Sequence, residues 1–98
     1  MSDGDIGEDE GWPCYPSQEV ASLLFDPATS PELFSAVVAL TVEINRTRGA
    51  VPGATASSTW PQQRRAPLGP DGVLGVAEYV ILADADPPYC VLTRVQPW

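Results

Sequence analysis

The stretch VLGVAEYVILADADPPYCVLTRVQPW, residues 73–98, decides the fold. Val76, Tyr79, Val80 and Ile81 form one β-branched and aromatic run, and Tyr89, Val91, Thr93 and Val95 form a second. Between them Asp84, Asp86, Pro87 and Pro88 interrupt both the period and the backbone donors, so the chain turns there. The reading is an antiparallel hairpin. Side-chain alternation proposes a register in which Ala77 faces Val95, Tyr79 faces Thr93, Ile81 faces Val91 and Ala83 faces Tyr89 on a core face. The opposite face then pairs Glu78 with Arg94, Val80 with Leu92 and Leu82 with Cys90. An opposite-charge pair directly across the ribbon favours this register. A two-stranded ribbon is not stable alone and needs a helix or further strands to cover it.

Upstream, residues 30–48 supply that cover. Ser30 is a good N-cap, Pro31 suits the first helical position, and Glu32 sits where the helix dipole favours an anion. Leu33, Val37, Leu40 and Ile44 recur at helical spacing, broadened by Phe34 and Val38. Arg46 and Arg48 lie in the last turn and Gly49 is the expected stop. The segment SQEVASLLF, residues 17–25, reads equally as a short helix capped by Ser17 or as a strand joining the ribbon. The spacing therefore predicts an α+β domain over residues 17–98, with an amphipathic helix packed on a small antiparallel sheet that ends in the C-terminal hairpin.

Residues 1–16 are expected to form a disordered tail. Asp3, Asp5, Glu8, Asp9 and Glu10 alternate with glycines and offer almost nothing to bury. The spacing of Asp3, Asp5 and Gly7 starts like a calcium loop, but the later ligands do not follow. Within WPCYP, residues 12–16, Trp12 and Tyr15 are expected to pack back on the domain. Residues 50–72 read as a long loop punctuated by Pro52, Pro61, Pro67 and Pro70, with a short strand possible near residues 64–68. In it, Trp60 beside Arg64 and Arg65 has the residue types that dominate interface energetics.

Composition bounds the function. The chain has 98 residues, 13 acids against 5 bases, and no histidine. A net charge of −8 repels phosphate backbones and disfavours direct nucleic-acid binding. It suits a basic protein partner. There is neither a signal-peptide pattern nor a long apolar run, so a cytoplasmic protein with no membrane association is expected. Cys14 and Cys90 are far apart in sequence and stand in no CxxC motif, so a disulfide is possible but not required. No nucleophile elbow, zinc-protease motif or phosphate loop is present. Asp84 and Asp86 belong to a turn, and Cys90 to a strand. The expectation is a non-enzyme without cofactor or metal. Its candidate partner-binding residues are Trp60, Arg64 and Arg65, with Val80, Leu82 and Leu92 on a hairpin face too apolar to be left in water. A protein partner, or a second copy in a homodimer, would cover that face.

The order of helix, arginine-bearing loop and GVAEYVILADADPPYCVLTRVQP resembles the C-terminal half of RelE/ParE-type toxins. It spans about residues 17–96, with SQEVASLLF as the first strand. The resemblance implies a helix preceding a twisted antiparallel sheet. It carries no catalytic residue over, because nuclease members of that family are basic with a terminal His or Tyr, whereas this chain is acidic and ends Gln96-Pro97-Trp98. A second similarity, over residues 27–65, is to the small ε subunits of acyl-CoA carboxylases, which are non-catalytic assembly helpers. The function these readings imply is that of an acidic binding module, a neutralising or accessory partner of the immunity or toxin–antitoxin kind. The alternatives are a RelE/ParE-like toxin acting on ribosome or gyrase, an accessory enzyme subunit, or a phage structural protein.

Overall fold

A computed structural model describes residues 11–98. Strand β1 (Cys14–Pro16) leads into helix α1 (Gln18–Phe25) and helix α2 (Pro31–Thr47). Strands β2 (Thr55–Ala56), β3 (Gln63–Leu68), β4 (Gly75–Leu82) and β5 (Tyr89–Pro97) follow, with a short 3-10 turn at Pro70–Gly72. The five strands form one sheet in the order β1-β5-β4-β3-β2. The α+β expectation holds, and the sheet is mixed, because β1 runs parallel to β5 while every other pair is antiparallel.

The helix caps follow the sequence chemistry. The Ser17 and Ser30 hydroxyls accept from the Val20 and Leu33 amides at 3.2 and 3.1 Å, satisfying donors that the first turn leaves open. Ser17 thus resolves the open reading of residues 17–25 as a helix and not a strand. Helix α2 stops one residue earlier than expected. Arg48 takes the left-handed conformation (φ 56°) as C-cap, and the Gly49 amide donates to Ile44 at 2.9 Å. Gly49 is itself left-handed, and a Cβ there would collide with Ile81.

One cluster forms the core. Val20 of α1 and Leu33, Val37, Leu40 and Ile44 of α2 meet Ala66, Leu68, Ala77, Tyr79, Cys90 and Leu92 of the sheet. The expected helical stripe is all there. Phe34 and Val38, expected to broaden it, instead face solvent together with Val42 (44%, 40% and 61% exposed). The reason is angular: residues four apart keep to one face, and this second line lies to the side of the one that meets the sheet.

The hairpin register is half as predicted. Ala77 pairs with Val95 and Glu78 with Arg94. Between Glu78 and Tyr79 the register shifts, and Tyr79 pairs with Leu92, Val80 with Val91, Ile81 with Cys90 and Leu82 with Tyr89. Thr93 is the extra residue of a β-bulge. Its hydroxyl donates to the Glu78 carbonyl (3.1 Å), and its own carbonyl accepts from the Ser17 hydroxyl (3.1 Å). Two side-chain hydroxyls therefore stabilise a backbone that the ladder leaves irregular. Because strand side chains alternate with period two, one inserted residue reverses every facing beyond it.

The first turns of chain that were assigned to the tail belong partly to the fold. Residues 1–10, which carry the acidic run and the Asp3/Asp5 spacing, lie outside the described residues. From Trp12 onward the chain is docked. The Trp12 amide donates to the Asn45 carbonyl at 3.0 Å, and the Arg48 guanidinium lies 5.8 Å from the Trp12 ring centre. The Cys90 amide donates to Pro13 and the Ser17 amide to Leu92, at 2.8 and 2.9 Å. The domain thus begins before residue 17.

Candidate functional site

Both helices lie on one side of the sheet, since their buried residues join a single cluster with the inward residues of β3, β4 and β5. The other side has no helix among the described residues. The registers define what it presents: Tyr15 beside Val91, Val91 across from Val80, Tyr89 across from Leu82, Gln63 beside Val80, and Arg65 and Arg94 flanking Glu78. Val80, Leu82, Tyr89 and Val91 are only half-buried. Tyr15, expected to pack away, is 54% exposed and meets Tyr89 edge-to-face at 5.7 Å between ring centres. The result is an apolar band of two tyrosines and three aliphatic residues across β1, β5 and β4.

Of the residues singled out from sequence, Val80 and Leu82 lie on this open face as expected. Leu92 does not. The bulge turns it inward, where it is fully buried, and Cys90 with it. Val91, expected inside, takes their place outside. The Trp60–Arg64–Arg65 group does not lie on one face of the sheet. Trp60 sits in the turn before β3 and is 59% exposed. Arg64 alternates with the buried Ala66 and so lies toward the helix side, its Nε donating to the Pro61 carbonyl at 3.0 Å. Arg65 points to the open side and pairs with Glu78 at 2.8 Å. Adjacent residues in a strand face opposite ways, so residues 63–68 being a strand separates the two arginines. Glu78 stands across from Arg94 in the register as expected, while its carboxylate is bonded to Arg65.

The charge of this face opposes that of the chain. Its strands present one acid, Glu78, and two arginines, Arg65 and Arg94. The whole chain carries −8. A shallow hollow of about 220 Å³ at the β2–β3 edge is lined by Thr55, Gln63, Arg64, Arg65 and Glu78, so both arginines reach it.

The residues that could do covalent chemistry are placed against it. Desolvation, with the Cys90 sulfur beside it, pushes the Cys14 thiol up to about 12. Burial also raises Cys90 and the Tyr79 hydroxyl. These groups stay protonated at neutral pH, and a thiol is a weak nucleophile in that state. The buried Tyr79 hydroxyl has a structural use, donating to the Gly49 carbonyl at 2.6 Å and tying β4 to the end of α2. No group of three or more metal-ligating side chains occurs among the described residues, and no helix among them is long and apolar enough to cross a membrane.

Sequence reasoning missed Tyr15, Tyr89 and Val91. Their facing is set by the parallel β1–β5 pairing and the β-bulge, neither of which has a local signal in the sequence. No protein-family model matches the chain, and neither a curated protein nor a solved structure matches it significantly.

Proposed function

We propose that this chain is a non-catalytic protein-binding module that docks through the open face of its sheet. One observation carries the reading: among the described residues helices cover one side of the sheet, and Tyr15, Val80, Leu82, Tyr89 and Val91 gather on the other. Apolar surface of this kind is stabilised by removal from water, and tyrosine is enriched in interface cores. Charge selects the partner. The acidic chain as a whole favours a basic partner, but the open face carries Arg65 and Arg94 against one carboxylate. The occupant is therefore a protein with an apolar surface rimmed by carboxylates that can meet Arg65 and Arg94. The biological setting this fits is an accessory or neutralising partner, as in immunity or toxin–antitoxin pairs.

The test is co-purification from the native host with the wild-type chain and with Tyr89→Asp and Val91→Asp, using Val42→Asp on the exposed side of α2 as control. A stoichiometric acidic partner that is lost with both sheet variants and kept with the helix variant supports the reading. Retention by the sheet variants, or a partner lost only with Val42→Asp, overturns it. Concentration-dependent dimerisation abolished by the same sheet variants would make the partner a second copy and refute the carboxylate-rimmed one.

A second reading, a RelE/ParE-like toxin, is favoured by one feature: α2 precedes an antiparallel run of β3, β4 and β5. Induced expression that leaves growth, translation and DNA supercoiling unchanged would refute it.

A further inference from the structure

Cys14 and Cys90 come from opposite ends of the chain, and the parallel β1–β5 ladder sets them directly across from each other. The register is fixed on both sides, by Cys90 N–H to the Pro13 carbonyl (2.8 Å) and Ser17 N–H to the Leu92 carbonyl (2.9 Å). Paired strands lie about 4.7–4.9 Å apart. That falls within the Cα separation of about 4.4–6.8 Å that a disulfide spans. Both side chains lie on the helix side. Cys90 is wholly buried, and Cys14 packs partly buried against the same cluster. Both are free thiols.

We propose that Cys14 and Cys90 are a disulfide-forming pair which, in the presence of a small-molecule disulfide, joins the first strand of the domain covalently to the last. The reaction is two exchanges. The less buried Cys14, as thiolate, attacks the oxidant's S–S bond, forming a mixed disulfide and releasing one small thiolate. The Cys90 thiolate then attacks the Cys14 sulfur and releases the second. The two cysteine protons pass through solvent to the two released thiolates, so the two electrons and both protons end on the pair of small thiols. The placement gives the bond a structural consequence. Strand β1 is three residues long, and Pro13 and Pro16, one before it and one at its end, have no N–H to give the ladder. A covalent tie adds to a short set of backbone bonds and restricts the unfolded chain across most of its length. Desolvation of both thiols makes the exchange slow at neutral pH and faster as pH rises, because thiolate is the attacking species.

Equilibrium and not rate is therefore the property to measure. The full chain is unfolded and refolded in a buffer of oxidised and reduced glutathione, then alkylated under denaturing conditions and weighed. The expected product is a monomer with both thiols blocked from alkylation, about 2 Da lighter by the two lost hydrogens. Its melting temperature should exceed that of the same sample in reductant by about 10 °C, while Cys14→Ser treated alike shows no rise. Two alkylatable thiols at equilibrium, a cross-link between chains, or an oxidised monomer that melts below the reduced one would each overturn the proposal.

Discussion

The two faces of the sheet are built from similar residue types and meet different fates. The helix side carries Ala66, Leu68, Ala77, Tyr79, Cys90 and Leu92, all buried under α1 and α2. The open side carries Tyr15, Val80, Leu82, Tyr89 and Val91, and no described helix covers it. Tyr79 and Tyr89 show the contrast in one residue type. The first is sealed, with its hydroxyl bonded to Gly49; the second leans on Tyr15 at the surface. Hydrophobicity thus does not decide which face is the core. Backbone register decides it, and the Thr93 bulge assigns Leu92 to one side and Val91 to the other.

The largest test of this contrast is Leu92→Ala against Val91→Ala, followed by urea unfolding of the isolated chain. Truncating the fully buried Leu92 should cost about 2–5 kcal/mol by transfer and cavity terms. The same truncation at Val91 should cost below about 1 kcal/mol. Equal or reversed costs would mean that the bulge is misplaced. Tyr79→Phe comes next. It leaves the Gly49 carbonyl without its donor and should cost about 1–3 kcal/mol, whereas Tyr89→Phe, on the open face, should cost little by the same assay.

Alkaline pH probes the helix side through its protons. Cys14, Cys90 and Tyr79 all have folded-state pKa values above their ordinary ones, so the folded chain resists losing these protons. Their contribution to stability is complete below about pH 9, where the unfolded thiols are still protonated, and is lost as pH rises toward about 12 for Cys14. Melting temperature measured across that window should fall, and the fall should be shallower in a Cys14→Ala chain. The smallest expected effect is at the charged rim of the open face. Glu78→Gln breaks the Arg65 pair, in which the arginine is well exposed, and should change the stability of the isolated chain by under about 1 kcal/mol. A large loss there would mean that the open face contributes to folding on its own.

Helix α2 was legible because its signals are local. Ser30 caps the first turn, Pro31 fits where no N–H is needed, and the Leu33–Val37–Leu40–Ile44 stripe lies within one continuous segment. The hairpin was legible for the same reason at its base, where Glu78 meets Arg94. The candidate site was legible only at Val80 and Leu82. Arg64 and Arg65 read as neighbours in a loop, with a strand near residues 64–68 only an option, because Pro61 and Pro67 lack the N–H that a ladder needs; pairing with β2 and β4 makes residues 63–68 a strand.

The sequence by itself determined the α+β class, the start of α2 at Ser30 and the Leu33–Val37–Leu40–Ile44 stripe, since propensity, capping and periodicity act over a few residues; it left residues 17–25 open between helix and strand. Only the tertiary structure decided the parallel seat of β1, the Thr93 bulge, the contact of Tyr15 with Tyr89 and the juxtaposition of Cys14 with Cys90. Each of these depends on where two distant backbones pair. Strand pairing is set by hydrogen bonds between segments whose side chains give no local mark of their partner, and a shift of one residue exchanges the inside of the sheet for the outside. The hairpin that organises the fold was therefore readable as a hairpin. Which residues of β5 meet the helices, and which lie on the open face, was settled by the single extra residue at Thr93.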